Sequence, residues 1–304
     1  MNRNYLLISM LAFLLCSCHH KELCFDHLHM TDFEVKFDWT ETPEANPRTM
    51  VLQIFRNDGS HYTTIEFVSR EGGKFRIEAG EYKFLFHNGT MSSLIEKGNT
   101  YYEYELTTKP QSLLAPMGRG ESMAPPRPGD AQDEPVIDVL EDIWGGRLEN
   151  VQVLKGVENQ SVTLKPTLAT SEYTVEVRGV KNLRDGIDIS AALTGMAQGW
   201  RIADNTLSDM TATIPFPMSR KDETTLEAHF IIFGDAPGHT GKHTLSIYTS
   251  DKEYAHFDIT DQVHNAPDSK HLCITVEGLE LNEGGGMSPG ISGWEDVEID
   301  LPMQ

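Results

Sequence analysis

Three side chains in the second half of the chain have the types and spacing of a zinc site. His239 and His243 are four residues apart, and Asp235 lies four residues before them. On a helix, imidazoles at this spacing lie on one face, and a nearby carboxylate could complete a zinc site. However, the Pro237-Gly238 pair and Gly241 disfavour a helix. The sequence therefore predicts a solvated loop here and no metal site.

Two other polar clusters have structural interpretations. The acidic segment 258–262 suggests calcium binding or catalysis, but Phe257 and Ile259 alternate as inward-facing strand residues and leave Asp258 outside. Asp261 would then sit where the strand ends and bond nearby backbone. Four histidines crowd the N-terminal segment, and exposed side chains are favoured there over a loose metal site: His19, His20, His27 and His29.

Signals for an enzyme are weak throughout the sequence. It contains no HExxH zinc motif, no phosphate-binding P-loop and no cysteine-rich metal set. No constellation of acid, base and nucleophile can be assembled from its residues. We therefore expect a protein that is not an enzyme and that has no cofactor.

The clearest chemistry lies in the N-terminal cysteines. The apolar run from Tyr5 to Leu15 is too short to span a bilayer and is typical of a signal peptide. The sequence Leu15-Cys16-Ser17-Cys18 resembles a bacterial lipobox, with cleavage after Ser17 and acylation of Cys18. A diacylglycerol on Cys18 would supply the more than one chain that stable anchoring needs. An ordinary secretory signal with incidental cysteines is the alternative.

Two further cysteines, Cys24 and Cys273, remain after such processing. They could form a disulfide in an oxidising envelope compartment, but sequence alone does not establish that they are close. Two buried or unreacted thiols are the favoured interpretation.

The charge of the chain is strongly acidic. It has 46 acidic against 25 basic residues, a formal net charge of −21. Nucleic acid is therefore excluded as an expected partner, because phosphate binding needs basic patches. The length predicts two domains, each able to bury a core.

Alternating apolar residues predict strands from residue 32 onwards. Phe33, Val35, Phe37 and Trp39 alternate with polar residues, as in a strand with one buried face. Short strands with glycine and asparagine turns continue to residue 107 and predict an antiparallel β-sandwich. After the signal peptide 1–17 and a tether 18–31, we assign the first domain to residues 32–150.

A segment rich in proline and glycine, residues 115–135, interrupts this pattern and predicts an exposed loop or linker. The second domain, residues 151–304, is also β-rich. Ile187 to Ala197 is its one predicted short helix. Its C-terminal arm follows a glycine-rich stretch and holds a predicted strand with Val297, Ile299 and Leu301.

Three tryptophans lie next to glycine, in predicted loops or strand ends: Trp144, Trp200 and Trp294. Exposed loop tryptophans could stack on sugar rings, but such residues more often anchor a loop to the core. Trp39 alternates with core residues and is predicted to be buried.

Several short motifs, in their order and spacing, resemble a Bacteroidetes lipoprotein family of unknown function that is similar to fimbrillin-type pilus anchor subunits. They follow the lipobox along nearly the whole mature chain: residues 20–27, 35–39, 44–47, 70–73, 79–82, 233–234, 257–263, 284–286 and 294–297.

The resemblance implies an all-β fold of two tandem antiparallel β-sandwich domains, of the immunoglobulin- or transthyretin-like, fimbrillin type. It implies a lipid-anchored protein of the cell outer membrane, exposed at the surface, with pilus subunits as partners. Such subunits assemble by strand exchange, and the arm Trp294 to Leu301 is the candidate donor strand. The last strand of its own domain is the alternative.

The resemblance leaves two functions open. Polymerising subunits lose an early strand by cleavage after a basic residue. Arg48 lies in a suitable predicted loop for that cut, and an ordinary surface residue is the alternative. An anchor would instead retain its first strand and its lipid. We therefore expect a pilus anchor or minor subunit. A surface glycan-binding lipoprotein that uses the three loop tryptophans is the alternative.

Overall fold

The structure, a computed structural model, describes residues 30–89, 93–119, 125–283, 293–297 and 299. The described chain is almost entirely β, and its sheets form two sandwiches joined by a shared sheet. This confirms the predicted all-β fold of two sandwiches. Within these residues, no helix has the length and hydrophobicity required to span a membrane.

The first sandwich packs a three-stranded sheet on a five-stranded sheet. The smaller sheet contains β1 (Met30–Phe37), β4 (Gly72–Glu78) and β9 (Gln160–Leu164), in the order β4-β1-β9. The larger contains β2 (Met50–Arg56), β3 (His61–Phe67), β5 (Gly80–Asn88), β8 (Trp144–Val153) and β10 (Thr167–Leu168), in the order β10-β8-β5-β2-β3.

The core of the first sandwich confirms the alternation read from the sequence. Phe33, Val35, Phe37 and Trp39 are all buried, and they pack between the two sheets. β1 is an inner strand, because β4 pairs with it on one side and β9 on the other. The first described strand of the chain is therefore the central strand of this sheet.

The second sandwich packs a four-stranded on a five-stranded sheet. The first contains β11 (Ser171–Arg178), β16 (Ser219–Arg220), β17 (Leu226–Ile232) and β20 (His271–Glu277), in the order β16-β17-β11-β20. The second contains β12 (Ile189–Ala197), β15 (Thr211–Pro217), β18 (Thr244–Thr249), β19 (Glu253–Asp258) and β21 (Glu295–Asp296), in the order β15-β12-β18-β19-β21. A short helix, α1 (Thr260–His264), follows β19.

A shared sheet joins the two sandwiches. It contains β6 (Leu94–Lys97), β7 (Glu105–Thr108), β13 (Gly199–Arg201) and β14 (Thr206–Leu207), in the order β14-β13-β7-β6. Its inner pair, β7 and β13, comes from different halves of the sequence. Trp200, 2% exposed, packs in a cluster that draws residues from both halves.

The predicted helix at Ile187 to Ala197 is wrong, because the segment forms strand β12. All nine residues of this strand are buried. One face lies in the sandwich core, and Ala192 on the other face packs against Leu113 and Leu114. A strand buried on both faces lacks the two-residue alternation, so its pattern cannot be distinguished from that of a short helix.

The segment 115–135 lies against the second sandwich where it is described, contrary to the predicted exposed linker. Ala131 is 2% exposed, and the carbonyl of Pro126 accepts a hydrogen bond from the Tyr248 hydroxyl at 2.9 Å. Two one-turn 3-10 helices, Ala115–Met117 and Gly129–Ala131, shape it. The sandwich supplies the apolar contacts that this proline-rich segment cannot make with itself.

The predicted domain boundary at residue 150 falls inside β8. The later strands β9 and β10 pair with β1 and β8, and so belong to the first sandwich. The assignment of residues 32–150 and 151–304 as domains stays a prediction.

Candidate subunit interface

The C-terminal arm forms the outermost strand of the second sandwich. Glu295 and Asp296 of β21 pair in parallel with Glu253 and Tyr254 of β19. The amide of Val297 donates to the carbonyl of Tyr254 at 3.0 Å. Two residue pairs are a short ladder, so the described part of this strand is attached to β19 by few backbone hydrogen bonds.

Apolar side chains of the arm fill the space beside β19. Val297 is 6% exposed and belongs to the core of the second sandwich, and Ile299 packs against that core and bridges to Leu279. Trp294 makes an edge-to-face contact with Tyr248, with 5.7 Å between ring centroids. Leu301 lies outside the described residues. The described part of the candidate donor strand thus packs in its own chain, and strand exchange between subunits stays a prediction.

Carboxylates surround the seam between the arm and β19. Glu253 is 4% exposed, its Oε1 accepts the amide of Asn282 at 3.2 Å, and its Oε2 is buried without a hydrogen bond. Burial raises the pKa of Glu253, and the nearby Asp251 raises it further, against the bond from Asn282 and the charge of Arg184. The arm therefore rests on a buried carboxyl group that is poorly compensated.

Two other strand edges of the second sandwich are covered by the chain itself. The segment 135–137 brackets Thr213 on β15: the Thr213 amide donates to Pro135 at 2.9 Å, and the Ile137 amide donates to Thr213 at 3.1 Å. On β20, the side chain of Gln262 accepts from the amide of Thr275 and donates to its carbonyl, both at 2.9 Å. Such cover prevents edge-to-edge association.

The residues predicted for lipid attachment lie outside the described part of the chain. These are Ser17 and Cys18, and Cys24 of the possible disulfide lies outside it too. Cys273 is exposed on β20 and has no disulfide partner among the described residues. Lipidation, cleavage after Ser17 and the pairing of Cys24 with Cys273 stay predictions.

The three loop tryptophans have different environments. Trp200 is buried in β13, where its indole donates to Asn205 Oδ1 at 3.3 Å, and Trp294 packs on Tyr248. Trp144 is half-buried at the start of β8 and lines a cleft of about 700 Å³, whose wall also includes Arg48 and Asp142. Burial raises the pKa of Asp142. Of these tryptophans, Trp144 best fits a ligand-stacking role.

The histidine pair was wrongly predicted to lie in a solvated loop. His243 is fully buried, and His239 is half-buried with its ring 4.9 Å from that of His243. The absence of a helix at this position is confirmed, since His243 immediately precedes β18. The fold brings His264, at the end of α1, to the same place. Sequence reasoning missed His264 because it lies 21 residues further on.

Comparison with known proteins identifies one family and several solved structures with the same fold. The sequence pattern of one family, a domain of unknown function (DUF5119), matches residues 17–217. The fold is similar to that of a candidate adhesin from Bacteroides ovatus, with a TM-score of 0.60 and 14% identity over 84% of this chain and 94% of that chain. No curated protein sequence matches significantly.

Two further solved structures share the fold. The fimbrial anchor protein Mfa2 from Porphyromonas gingivalis has a TM-score of 0.50 and 14% identity, over 81% of this chain and 90% of that chain. A candidate polysaccharide-binding protein from Bacteroides thetaiotaomicron has a TM-score of 0.50 and 14% identity, over 83% and 91%.

Proposed function

Since the chain belongs to the DUF5119 family, whose pattern covers more than half of it, we propose that it is a non-enzymatic fimbrial anchor or minor subunit. In this proposal acylated Cys18 holds it in the outer membrane, and backbone pairing at a strand edge joins it to other pilus subunits. Its fold is shared with a fimbrial anchor protein, which supports the proposal.

The observation that carries the proposal is the attachment of the C-terminal arm. In its described residues, the arm is held by two residue pairs to β19, by one bridge from Ile299 to Leu279 and by the side chains of Val297 and Ile299. A strand that is held by so few bonds can leave this edge and pair with a neighbouring subunit. The vacated edge could then accept a strand of matching side-chain alternation.

The position of β1 supports an anchor over a polymerising subunit. Cleavage after the exposed Arg48, which lies between β1 and β2, would remove the strand that separates β4 from β9. Retaining β1 keeps the first sandwich complete and keeps the body connected to Cys18. An anchor needs both.

Deletion of the gene in the bacterium that makes this protein tests the proposal. Without an anchor, pili should be shed into the medium or become abnormal in length or number, and the intact gene should restore them. Pilus number and attachment that do not change on deletion would contradict the proposal.

Complementation with arm variants tests the proposed contact. Val297→Lys places a charge where the arm packs, and should reduce the recovery of pilus subunits with the tagged protein from envelope fractions. Leu154→Lys changes an exposed leucine, 52% exposed, and serves as the matched control. Equal recovery with both variants would exclude the arm as the contact.

A second function, glycan binding, is supported by the cleft beside Trp144. The cleft combines an aromatic ring with amide, guanidinium and carboxylate groups, the combination that recognises sugars. Binding on a glycan array that is lost with Trp144→Ala and kept with Trp294→Ala would support this function. Binding that both variants keep would place any glycan site elsewhere.

A further inference from the structure

A cluster of two histidines and one aspartate lies beside strand β12, away from the C-terminal arm. One ligand atom from each of Asp235, His243 and His264 lies within 4.8 Å of the others. Asp235 follows β17, His243 precedes β18, and His264 ends α1. We propose that these three side chains form a binding site for a divalent transition metal ion of the zinc type.

The distances in the cluster fit a shared metal ion. His243 Nε2 lies 3.0 Å from His264 Nε2 and 3.2 Å from Asp235 Oδ1. A tetrahedral zinc ion with bonds of about 2.1 Å separates its ligand atoms by about 3.4 Å. Both distances from His243 are close to this separation, and all three ligand atoms lie within 4.8 Å of one another.

The hydrogen bonds of His243 direct a lone pair into the cluster. Its Nδ1 lies 3.1 Å from the carbonyl oxygen of Thr194. A carbonyl only accepts, so Nδ1 carries a proton, and in the neutral ring Nε2 then presents a lone pair to Asp235 and His264. A metal-binding histidine commonly has its other nitrogen held in this way by a carbonyl or carboxylate.

Oδ1 of Asp235 is a buried atom of the cluster that receives no hydrogen bond, because the His243 Nε2 that faces it presents a lone pair. A buried polar atom without a partner costs about 1–3 kcal/mol. A bound cation would satisfy the carboxylate oxygen.

The surrounding backbone is built around these rings. β12 has a bulge between Leu193 and Met196, where Gly195 has a φ of 78°. A Cβ atom on Gly195 would come within 2.7 Å of His243 Nδ1. The bulge also places the Thr194 carbonyl against His243. Glycine thus permits both the backbone conformation and the close approach of the imidazole.

The donor set selects the class of ion. Two imidazole nitrogens and one carboxylate oxygen suit zinc and its neighbours, whereas calcium and magnesium prefer all-oxygen sites. His264 is exposed, so an ion can enter from solvent. Once bound, it would join the connection between β17 and β18 to α1 and so stabilise this end of the second sandwich.

The site is tested by zinc titration of the purified, untagged full-length chain, which is first treated with a chelator and kept in detergent. Calorimetry should show that the wild type binds zinc, and that His264→Ala and Asp235→Asn each weaken this binding by at least about tenfold. His271→Ala removes a histidine from an exposed pair with Asp268 and should bind like the wild type. The tether histidines are present in every variant and so cancel in the comparison.

Two further measurements make the result decisive. Thermal unfolding without metal should be similar in the wild type and His264→Ala, because His264 is exposed, and zinc should raise the midpoint in the wild type alone. Cobalt in place of zinc should give the visible absorption of a tetrahedral site in the wild type. The proposal is overturned if His264→Ala and Asp235→Asn bind zinc as tightly as the wild type, or if calcium binds more tightly than zinc.

Discussion

At the scale of single residues, some positions require a particular residue type because a distant residue packs against them. The local sequence pattern does not show this requirement. Gly195 lies in strand β12, which the sequence pattern predicted to be a helix. No residue near it in the sequence indicates a bulge. Its need for glycine arises from His243, which reaches it from a distant part of the chain. Sequence could predict the buried Trp39, whose neighbours alternate, but not a contact between segments 48 residues apart.

Replacement of Gly195 by alanine should lower the free energy of unfolding through two separate costs. The positive φ costs about 1–2 kcal/mol for a residue with a Cβ, and crowding against the buried imidazole adds about 1–3 kcal/mol. Gly179→Ala is the matched control, because Gly179 has a φ of 66° and no atom lies within 4 Å of the place that its new methyl group would take. Urea unfolding should show a larger loss for Gly195→Ala, and equal losses would exclude the clash.

Glu253 gives the stability of the chain a specific pH dependence. Burial raises its folded pKa above the ordinary value of 4.5, so the folded state takes up the proton first as the pH falls. The contribution of this group to stability therefore increases as the pH falls from the folded pKa towards 4.5, and is least favourable above the folded pKa.

Replacement of Glu253 by glutamine should remove that contribution. Urea unfolding at pH 5 and pH 7 should show the variant gaining stability relative to the wild type as the pH rises. Glu66→Gln, on an exposed position of β3, controls for the loss of one negative charge. If the stability difference between Glu253→Gln and the wild type does not change with pH, or changes in the opposite direction, burial does not control the pKa of this carboxyl group.

At the scale of elements, alternation in the sequence predicted the strands with one solvent-facing side, and failed where both sides are covered. β1 alternates and was predicted correctly. β12 is buried along its whole length because the segment around Leu113 and Leu114 covers its second face. Leu113 and Leu114 directly precede the segment 115–135, which was predicted to be an exposed loop or linker, and Met117 in that segment packs against the same cluster. The two errors therefore have one cause, a contact between segments that are distant in the sequence.

The C-terminal arm shows the same limit in the candidate interface. Alternation predicted a strand at Val297 and Ile299, but the sequence could not say whose sheet it joins, since the partner edge on β19 lies about 40 residues away. The structure places it on its own sandwich by two residue pairs. Exchange with another subunit depends on the strength of that attachment, which no local pattern encodes.

Gln262 should protect the edge of β20 from pairing with another chain. Its amide group bonds both backbone groups of Thr275 and so occupies the place of a neighbouring strand. Gln262→Ala should cost about 1–2 kcal/mol, through two lost hydrogen bonds at a partly exposed site, and should increase self-association.

Urea unfolding and light scattering measure these two effects. Gln152→Ala removes an exposed glutamine from β8 and is the control for side-chain loss in a strand. A Gln262→Ala variant that matches this control in both measurements would show that Gln262 does not protect the edge.

At the scale of the whole molecule, the proposed anchor depends on one modified residue. Cys18→Ala should abolish palmitate labelling and move the protein from the membrane to the soluble fraction, because the chain then has no acylated residue to hold it in the bilayer. Cys273→Ala removes an exposed thiol and should leave labelling unchanged. Persistent labelling of Cys18→Ala would place any lipid elsewhere, and an unlabelled wild type would exclude the lipid anchor.

The shared sheet should make the two sandwiches unfold together. β7 and β13 pair across the two halves, with Trp200 opposite Leu106, and the Thr107 hydroxyl donates to the carbonyl of Gln198 at 2.7 Å. Force applied to one sandwich would therefore be shared with the other, as the proposed anchor requires.

Trp200→Ala should uncouple the two sandwiches as well as destabilise the chain. The loss of a buried tryptophan costs about 3–5 kcal/mol, and here the cavity opens between the halves. Phe84→Ala makes a comparable cavity inside the first sandwich alone. Hydrogen exchange of β2 and β18 during urea unfolding should report one transition in the wild type and two in Trp200→Ala. In the control Phe84→Ala, β7 stays paired with β13, so β2 and β18 should still unfold in one transition. Coincident transitions in Trp200→Ala would show that the coupling resides in the backbone pairing of the shared sheet and not in the cluster around its tryptophan.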